Sequence, residues 1–270
     1  MKTSSFSAAP LLVALLLPAS LAPADTISST DSFLPAVHII GASGIFRTDV
    51  TIFNPDPSVA AVVDLYYTEA DHDGTASPQY RIVGNLGPRA SLTLTDVVLS
   101  TFGFASSYGL IQIKGSVPVH VTSNTYNVAG AVPGTYGQFS PGQPFRNSVG
   151  FDNTISGDLY LTGIPNDPNH RTNAVVMNPT GVALEAGVQL VDWAGNPYKT
   201  VLVNVPPYSL HQLNDIFYDA FASASPPEGG PWRLTVFVNA SNGARALCYA
   251  TVTDLRTGDP YLLTGQLAVP

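Results

Sequence analysis

The residues best equipped for chemistry crowd into one short run, Glu69-Ala70-Asp71-His72-Asp73-Gly74. Carboxylates at alternate positions ahead of a glycine resemble the start of a calcium loop, where alternating side chains converge on a hard cation. Asp71 and Asp73 are therefore the candidate metal ligands, with calcium as the ion. The bidentate Glu that would close such a loop is missing, because Ile82 stands at its position. Asp-Gly is also a strong hairpin-turn signal, so the competing expectation is a solvated turn.

No other spacing assembles a reaction centre. Gly41-Ala42-Ser43-Gly44 lacks the G-x-S-x-G pattern of a nucleophile elbow, and H-E-x-x-H is absent. The five histidines, His38, His72, His120, His170 and His211, are scattered. A triad gathered from distant loops leaves no local signature, which keeps a secreted hydrolase as one alternative. Cys248, the single cysteine, reads as a small buried hydrophobe rather than a reactive thiol. Aromatic residues offer a different chemistry. Tyr126 and Tyr136 in the first half, and Trp193 and Tyr198 in the second, lie near turns or outer faces, where rings stack on sugars or anchor a protein. They are the candidate ligand-binding residues; Tyr66, Tyr67, Tyr208 and Tyr261 share that placement.

The elements that must carry these groups are written twice. Arg47-Thr48-Asp49-Val50-Thr51-Ile52-Phe53-Asn54-Pro55 returns as Arg171-Thr172-Asn173-Ala174-Val175-Val176-Met177-Asn178-Pro179, and the segment Pro88 to Phe102 returns as Pro207 to Phe221. Such self-similarity sets the architecture before any local reading. A polar residue present in both copies serves the fold more readily than a unique active site. Arg47 with Asp49, and Arg171 with Asn173, accordingly read as outer-face residues. Asn54-Pro55 and Asn178-Pro179 read as strand ends, because proline withdraws a donor.

Between the turns, apolar residues alternate with period two. Val50 and Ile52, Ile111 and Ile113, and Val119 and Val121 share a face in the first copy, as do Ala174 and Val176, Val236 and Val238, and Ala246 and Cys248 in the second. Asp64, Gln112, Gln189 and Thr235 occupy the opposite face. Alternation of this kind predicts half-buried strands. Thr95-Asp96-Val97-Val98 and Asn214-Asp215-Ile216-Phe217 predict one short helix per copy, with a capping side chain and an acid at its positive end. The expected fold is all-β: two tandem antiparallel β-sandwich domains of immunoglobulin-like type, residues 33–141 and 157–266, joined by a linker at 142–156. Long contact loops are expected at 128–138 and 222–231.

Composition narrows the setting. Residues 1–24 have the charged start, apolar run Leu11–Leu17 and small residues Ala22 and Ala24 of a signal peptide, too short to span a bilayer. No membrane insertion is expected after its removal. The chain is 45% hydrophobic yet only 11% charged, with 23 Gly and 23 Pro, which suits short strands joined by turns. A net charge of −8 without a basic stripe argues against nucleic acid. The expectation is a secreted or periplasmic protein, possible at the cell surface, held together by its core without a disulfide.

Three motifs, RTDVTIFNP, LTLTDVV and NTYN with GTYGQF, resemble those of tandem β-sandwich repeats in secreted proteins of environmental bacteria. There the repeats stand alone or behind catalytic domains such as extracellular proteases. The second copy departs at the last motif, with Asp254-Leu255-Arg256-Thr257-Gly258-Asp259-Pro260 in its place. The resemblance implies an accessory or surface module with no assigned activity, so no functional residue is carried over from it. The resulting expectation is a non-catalytic binding, adhesion or structural module whose partner is an extracellular polysaccharide or a protein. A carbohydrate-binding module using exposed aromatics is the second alternative, and no cofactor beyond calcium is implied.

Overall fold

A computed structural model describes residues 28–41, 44–76, 78–128, 136–151, 157–220 and 229–267. The expected signal peptide lies outside them, as do most of the two expected contact loops. The period-two alternation becomes antiparallel strand pairing throughout, and the chain is all-β with little helix.

In the N-terminal half the strands are β1 (Ser29–Gly41), β2 (Gly44–Phe53), β3 (Ala61–Glu69), β4 (Gln79–Leu86), β5 (Ser91–Leu94), β6 (Ser107–Asn127) and β7 (Tyr136–Pro141). They pair in the order β4-β3-β6-β1-β2-β5, with β7 also on β6. The long strand β6 serves two sets of neighbours. Its first stretch pairs with β1 and β3, and its second, from His120 to Asn127, pairs with β2. Val50, Ile52, Val63, Leu65, Ile113 and Val121 meet in one core. Fully burying such a side chain stabilises by roughly 1.5–3 kcal/mol, so this face fixes the strand register.

Two short strands, β8 (Gln143–Pro144) and β9 (Val149–Gly150), lie in the segment expected as a linker. The first pairs with β1 of the N-terminal half, and Val149 enters the C-terminal core. That half contains β10 (Leu159–Ile164), β11 (His170–Met177), β12 (Leu184–Val191), β13 (Pro197–Val205), β14 (Leu210–Leu213), β15 (Trp232–Val238), β16 (Arg245–Asp254), β17 (Pro260–Thr264) and β18 (Gln266–Leu267). One sheet runs β13-β12-β15-β10-β18 and the other β14-β11-β16-β17. Both contribute to a single core, as in a sandwich. The register repeats: Leu34 opposes Ile111 as Leu159 opposes Val236, and Ile52 opposes Val121 as Val176 opposes Cys248. Strands β15 and β16 thus do separately what β6 does in one piece.

The duplicated acids, expected at the positive end of each helix behind capping Thr95 and Asn214, take a different part. The helix α1 (Val97–Ser100) buries Val97 and Val98, but Asp96 makes no side-chain cap bond and has a left-handed backbone, φ 49°. Asp215, ahead of the short helical turn Ile216–Ala220, also has positive φ, 37°. Each instead donates its backbone N–H to the strand residue duplicated in β2 and β11: Asp96 to Asp49 Oδ1 at 2.8 Å and Asp215 to Asn173 Oδ1 at 3.0 Å. Aspartate tolerates the left-handed region better than most residues, which explains the choice. Asn54 and Asn178 also do more than end a strand. Each is fully buried and donates Nδ2 to three carbonyls, those of Val59, Leu86 and Gly87 in one copy and Val182, Val205 and Pro206 in the other.

Candidate functional site

Strands β11 and β16 are apolar on both faces, and both faces are covered. Ala174, Val176, Ala246 and Cys248 point into the C-terminal core. Val175, Met177, Leu247 and Tyr249, on the opposite parity, pack with Leu210 against Phe33, Ala70 and Leu110 of the N-terminal half. Polar contacts frame this dry seam. Gly74 N–H donates to Pro207 O at 2.8 Å, Asp71 N–H to Leu210 O at 3.0 Å, Ser209 Oγ to Glu69 O at 3.0 Å and Gln143 Nε2 to Cys248 O at 3.1 Å.

The covering stops partway along one sheet face. On β1, β3 and β6 the outward residues run from Pro35, Thr68 and Leu110 through Phe33, Tyr66 and Gln112 to Asp31, Asp64 and Lys114. The apolar end lies under the C-terminal half, and the polar end borders two adjoining depressions of about 270 and 260 Å³. Both are lined by Gln112, Lys114 and Tyr208, so they adjoin along a common wall and together make up the junction cleft. Tyr66, Thr75 and Thr68 extend it on one side; Asp31, Thr180 and Gly181 extend it on the other.

Apolar surface makes up most of the cleft lining, and its few polar groups are organised. Gln112, expected on a solvated face, is only 6% exposed and donates Nε2 to Asp31 Oδ1 and Oδ2 at 2.9 and 3.2 Å. Lys114 Nζ sits 5.1 Å from the centre of the Tyr66 ring, a cation–π contact. Burial pushes the Asp31 carboxyl above its ordinary pKa, against the Gln112 hydrogen bond and the Lys114 charge, which pull it down. Tyr208 leans in from the other half. A Cβ on Gly74 would come within 2.8 Å of Tyr208 Cβ, and one on Gly181 within 3.3 Å of its ring, so both glycines leave room for it.

The candidate residues from the sequence lie mostly elsewhere. Asp73 accepts from Thr75 Oγ1 at 2.6 Å and Thr75 N–H at 2.8 Å, contacts that hold its pKa below the ordinary value. Asp71 faces His211 of the other half, Oδ1 to Nδ1 at 2.7 Å. Among the described residues no group of three or more His, Cys, Asp or Glu is placed to hold a metal. The turn is exposed at Asp71, His72 and Asp73 and is also pinned across the seam through Asp71 and Gly74. Tyr126 donates to Asp49 Oδ1 at 3.2 Å. The Tyr136 side chain lies outside the described residues. Trp193 and Tyr198, 53% and 41% exposed, meet buried Trp232 edge-on at 5.8 and 5.6 Å. They form an aromatic cluster on the C-terminal half, and Tyr126 is not part of it.

Three histidines face aspartates: His38 to Asp96, His170 to Asp167 and His211 to Asp71. The first pair resembles half of a triad, since His38 is 3% exposed with Nδ1 2.8 and 3.0 Å from the carboxylate oxygens. Ser107 opposes His38 across β1 and β6, but its hydroxyl lies 2.7 Å from Tyr67 Oη and donates to Glu69 Oε1 at 2.8 Å. Arg47 Nε lies 3.5 Å from Asp96 Oδ2, and Asp49 accepts from Asp96 N–H and Tyr126 Oη, so these groups form a half-buried structural network. Cys248 is buried, and burial raises its thiol pKa well out of the reactive range. No local spacing signals Asp31, Lys114 or Thr180. The outward parity of Gln112 and the turn placement of Tyr66 and Tyr208 are the only marks that the cleft leaves in the sequence.

No protein-family model and no curated protein matches the chain. Among solved structures it is similar to a Bacteroides uniformis β-glucuronidase, at 10% identity over 88% of this chain and 26% of that one, with a TM-score of 0.16. It is likewise similar to a calcium-binding mutant of Bacteroides uniformis β-glucuronidase 2, at 10% identity over 90% and 32%, with a TM-score of 0.16. The chain spans about a quarter to a third of the length of these proteins.

Proposed function

We propose that this chain is a secreted, non-catalytic binding module. In this reading two homologous immunoglobulin-like sandwiches are locked together and present a recognition surface to an extracellular polysaccharide or protein. The observation that supports it is the seam: a dry apolar contact holds the halves in one relation, and a cleft with walls from both halves opens at its margin. Binding energy is not spent on ordering two domains when they are already fixed. Exposed Trp193 and Tyr198 support a second contact region for a sugar or protein.

The test is a binding screen of residues 25–270 against a polysaccharide array and against native cell envelope, each with and without calcium. Saturable binding without turnover is the expected result. Calcium dependence that disappears in Asp73→Ala would assign the ion to the Asp71–Asp73 turn. Hydrolysis of an ester or glycoside panel, abolished by His38→Ala while the fold is retained, would overturn the non-catalytic reading.

A further inference from the structure

We infer that the junction cleft is a saccharide site whose ligand is a neutral oligosaccharide of at least two sugar units. This rests on the binding-module reading and gives that module a location and a ligand class.

The turn carrying Tyr208 separates what the fold needs from what it does not. Tyr208 has φ 50°, and its counterpart Arg89 has φ 57°. Both donate their backbone N–H to the same place in the repeat, Tyr208 to Thr180 O at 2.9 Å and Arg89 to Asp56 O at 3.1 Å. The strained backbone therefore belongs to the repeated architecture. The side chain does not repeat: only the second copy puts an aromatic ring there, over glycines that leave it room and beside the first half. Tyr66 lines the same depression from the first half, but its ring packs on Tyr80 at 5.0 Å with Lys114 Nζ over it at 5.1 Å, so Tyr208 carries the stacking contact. Aromatic faces supply apolar contact for the C–H face of a pyranose while their hydroxyls remain available for hydrogen bonds.

The polar groups match hydroxyls. A sugar hydroxyl donates and accepts at once, so it is best served by a carboxylate and an ammonium side by side. Asp31 and Lys114 oppose each other across β1 and β6, with the Gln112 amide bonded to Asp31 beside them. Asp31 accepts from Gln112 at both oxygens, and its remaining lone pairs can accept from ligand hydroxyls as well. Thr75 and Thr180 line the walls with hydroxyls that donate to Asp73 and Asn178 and so present only acceptors to a ligand.

Charge and size select within this class. Lys114 also faces Asp64 on β3, so it stands between two carboxylates and cannot attract an anion unopposed. The chain as a whole carries −8. Uronates and sulfated glycans are therefore disfavoured. The two depressions, at about 270 and 260 Å³, each fall just below the ~300 Å³ at which small-molecule sites begin. Two subsites with a shared wall at Lys114 and Tyr208 suit consecutive sugars.

The decisive measurement is calorimetric titration of residues 25–270 with cellohexaose, maltohexaose, xylohexaose, mannohexaose and chitohexaose, with polygalacturonate as the acidic probe. Lys114→Met and Asp31→Asn test the cleft and Trp193→Ala tests the separate aromatic cluster, each variant being checked for an unchanged thermal transition. At least one neutral hexaose should saturate the protein. Its Kd should weaken by roughly tenfold or more in both cleft variants and change by less than about twofold in Trp193→Ala. Loss of binding in Trp193→Ala alone would overturn the cleft while leaving the binding-module reading intact. Preference for polygalacturonate, or failure of every neutral hexaose, would overturn the saccharide assignment. A saturable protein partner found alongside that failure would keep the module reading alive without it.

Discussion

At the scale of single residues, the repeat distinguishes structural polar groups from recognition groups. Asn54 and Asn178 occur in both copies and each bridges three carbonyls from inside the fold. An amide can donate there and a carboxylate cannot. Asn178→Asp is nearly isosteric, yet it turns the donors toward Val182, Val205 and Pro206 into a lone-pair repulsion. Each buried group left unsatisfied costs about 1–3 kcal/mol, so a loss of at least about 3 kcal/mol is expected in urea denaturation. An unchanged midpoint would show that the asparagine is not the hub drawn here. The duplication of these residues was visible in the sequence, but their part in the fold was not. Asparagine before proline has a sufficient local explanation, and its long-range partners lie beyond the reach of spacing. The same holds for Asp96 and Asp215, expected at the positive end of a helix behind capping Thr95 and Asn214; their left-handed backbone turns their N–H toward Asp49 and Asn173.

At the scale of elements, strand parity was readable because its cause is local: a sheet with one buried face imposes period two. Burial on both faces was also written in the chain, in the unbroken apolar runs Ala174–Met177 and Ala246–Ala250, since strands covered on both sides lose their alternation. What covers the second face was not readable, because Phe33, Ala70 and Leu110 belong to the other repeat. Strand β6 raises a different problem, as it serves two sets of partners without a break. Gly115 stands where the partners change, and a Cβ there would come 2.5 Å from Val117 O. Gly115→Ala should therefore cost about 1–3 kcal/mol through forced backbone movement. Gly87 is the control: it has open space around a Cβ, and Gly87→Ala should be neutral or stabilise by about 0.4–1 kcal/mol. Equal effects of the two substitutions in thermal melts would contradict a special constraint on β6.

At the scale of the molecule, the seam decides whether two repeats act as one body. The cores of the halves are separate, and a third cluster joins them. Leu247 belongs to that third cluster, while its chain neighbours Ala246 and Cys248 face the C-terminal core. This alternation lets the seam be attacked without touching either core. Leu247→Asp would bury a carboxylate among Phe33, Leu110 and Met177 with no cation opposite it, and separating the halves is the cheaper outcome. The native chain should unfold in one cooperative transition. The variant should show two, with a larger radius of gyration by small-angle scattering before the first of them. It should also lose the cleft, because Tyr208 would no longer border Gln112 and Lys114 of the first half, and so lose any ligand that the cleft holds. A single transition merely moved to lower temperature, with ligand binding retained, would mean that the halves are held by their polar frame and connecting strands rather than by the apolar seam. Loss of binding together with the split would place recognition in the junction itself, which neither repeat could have encoded alone.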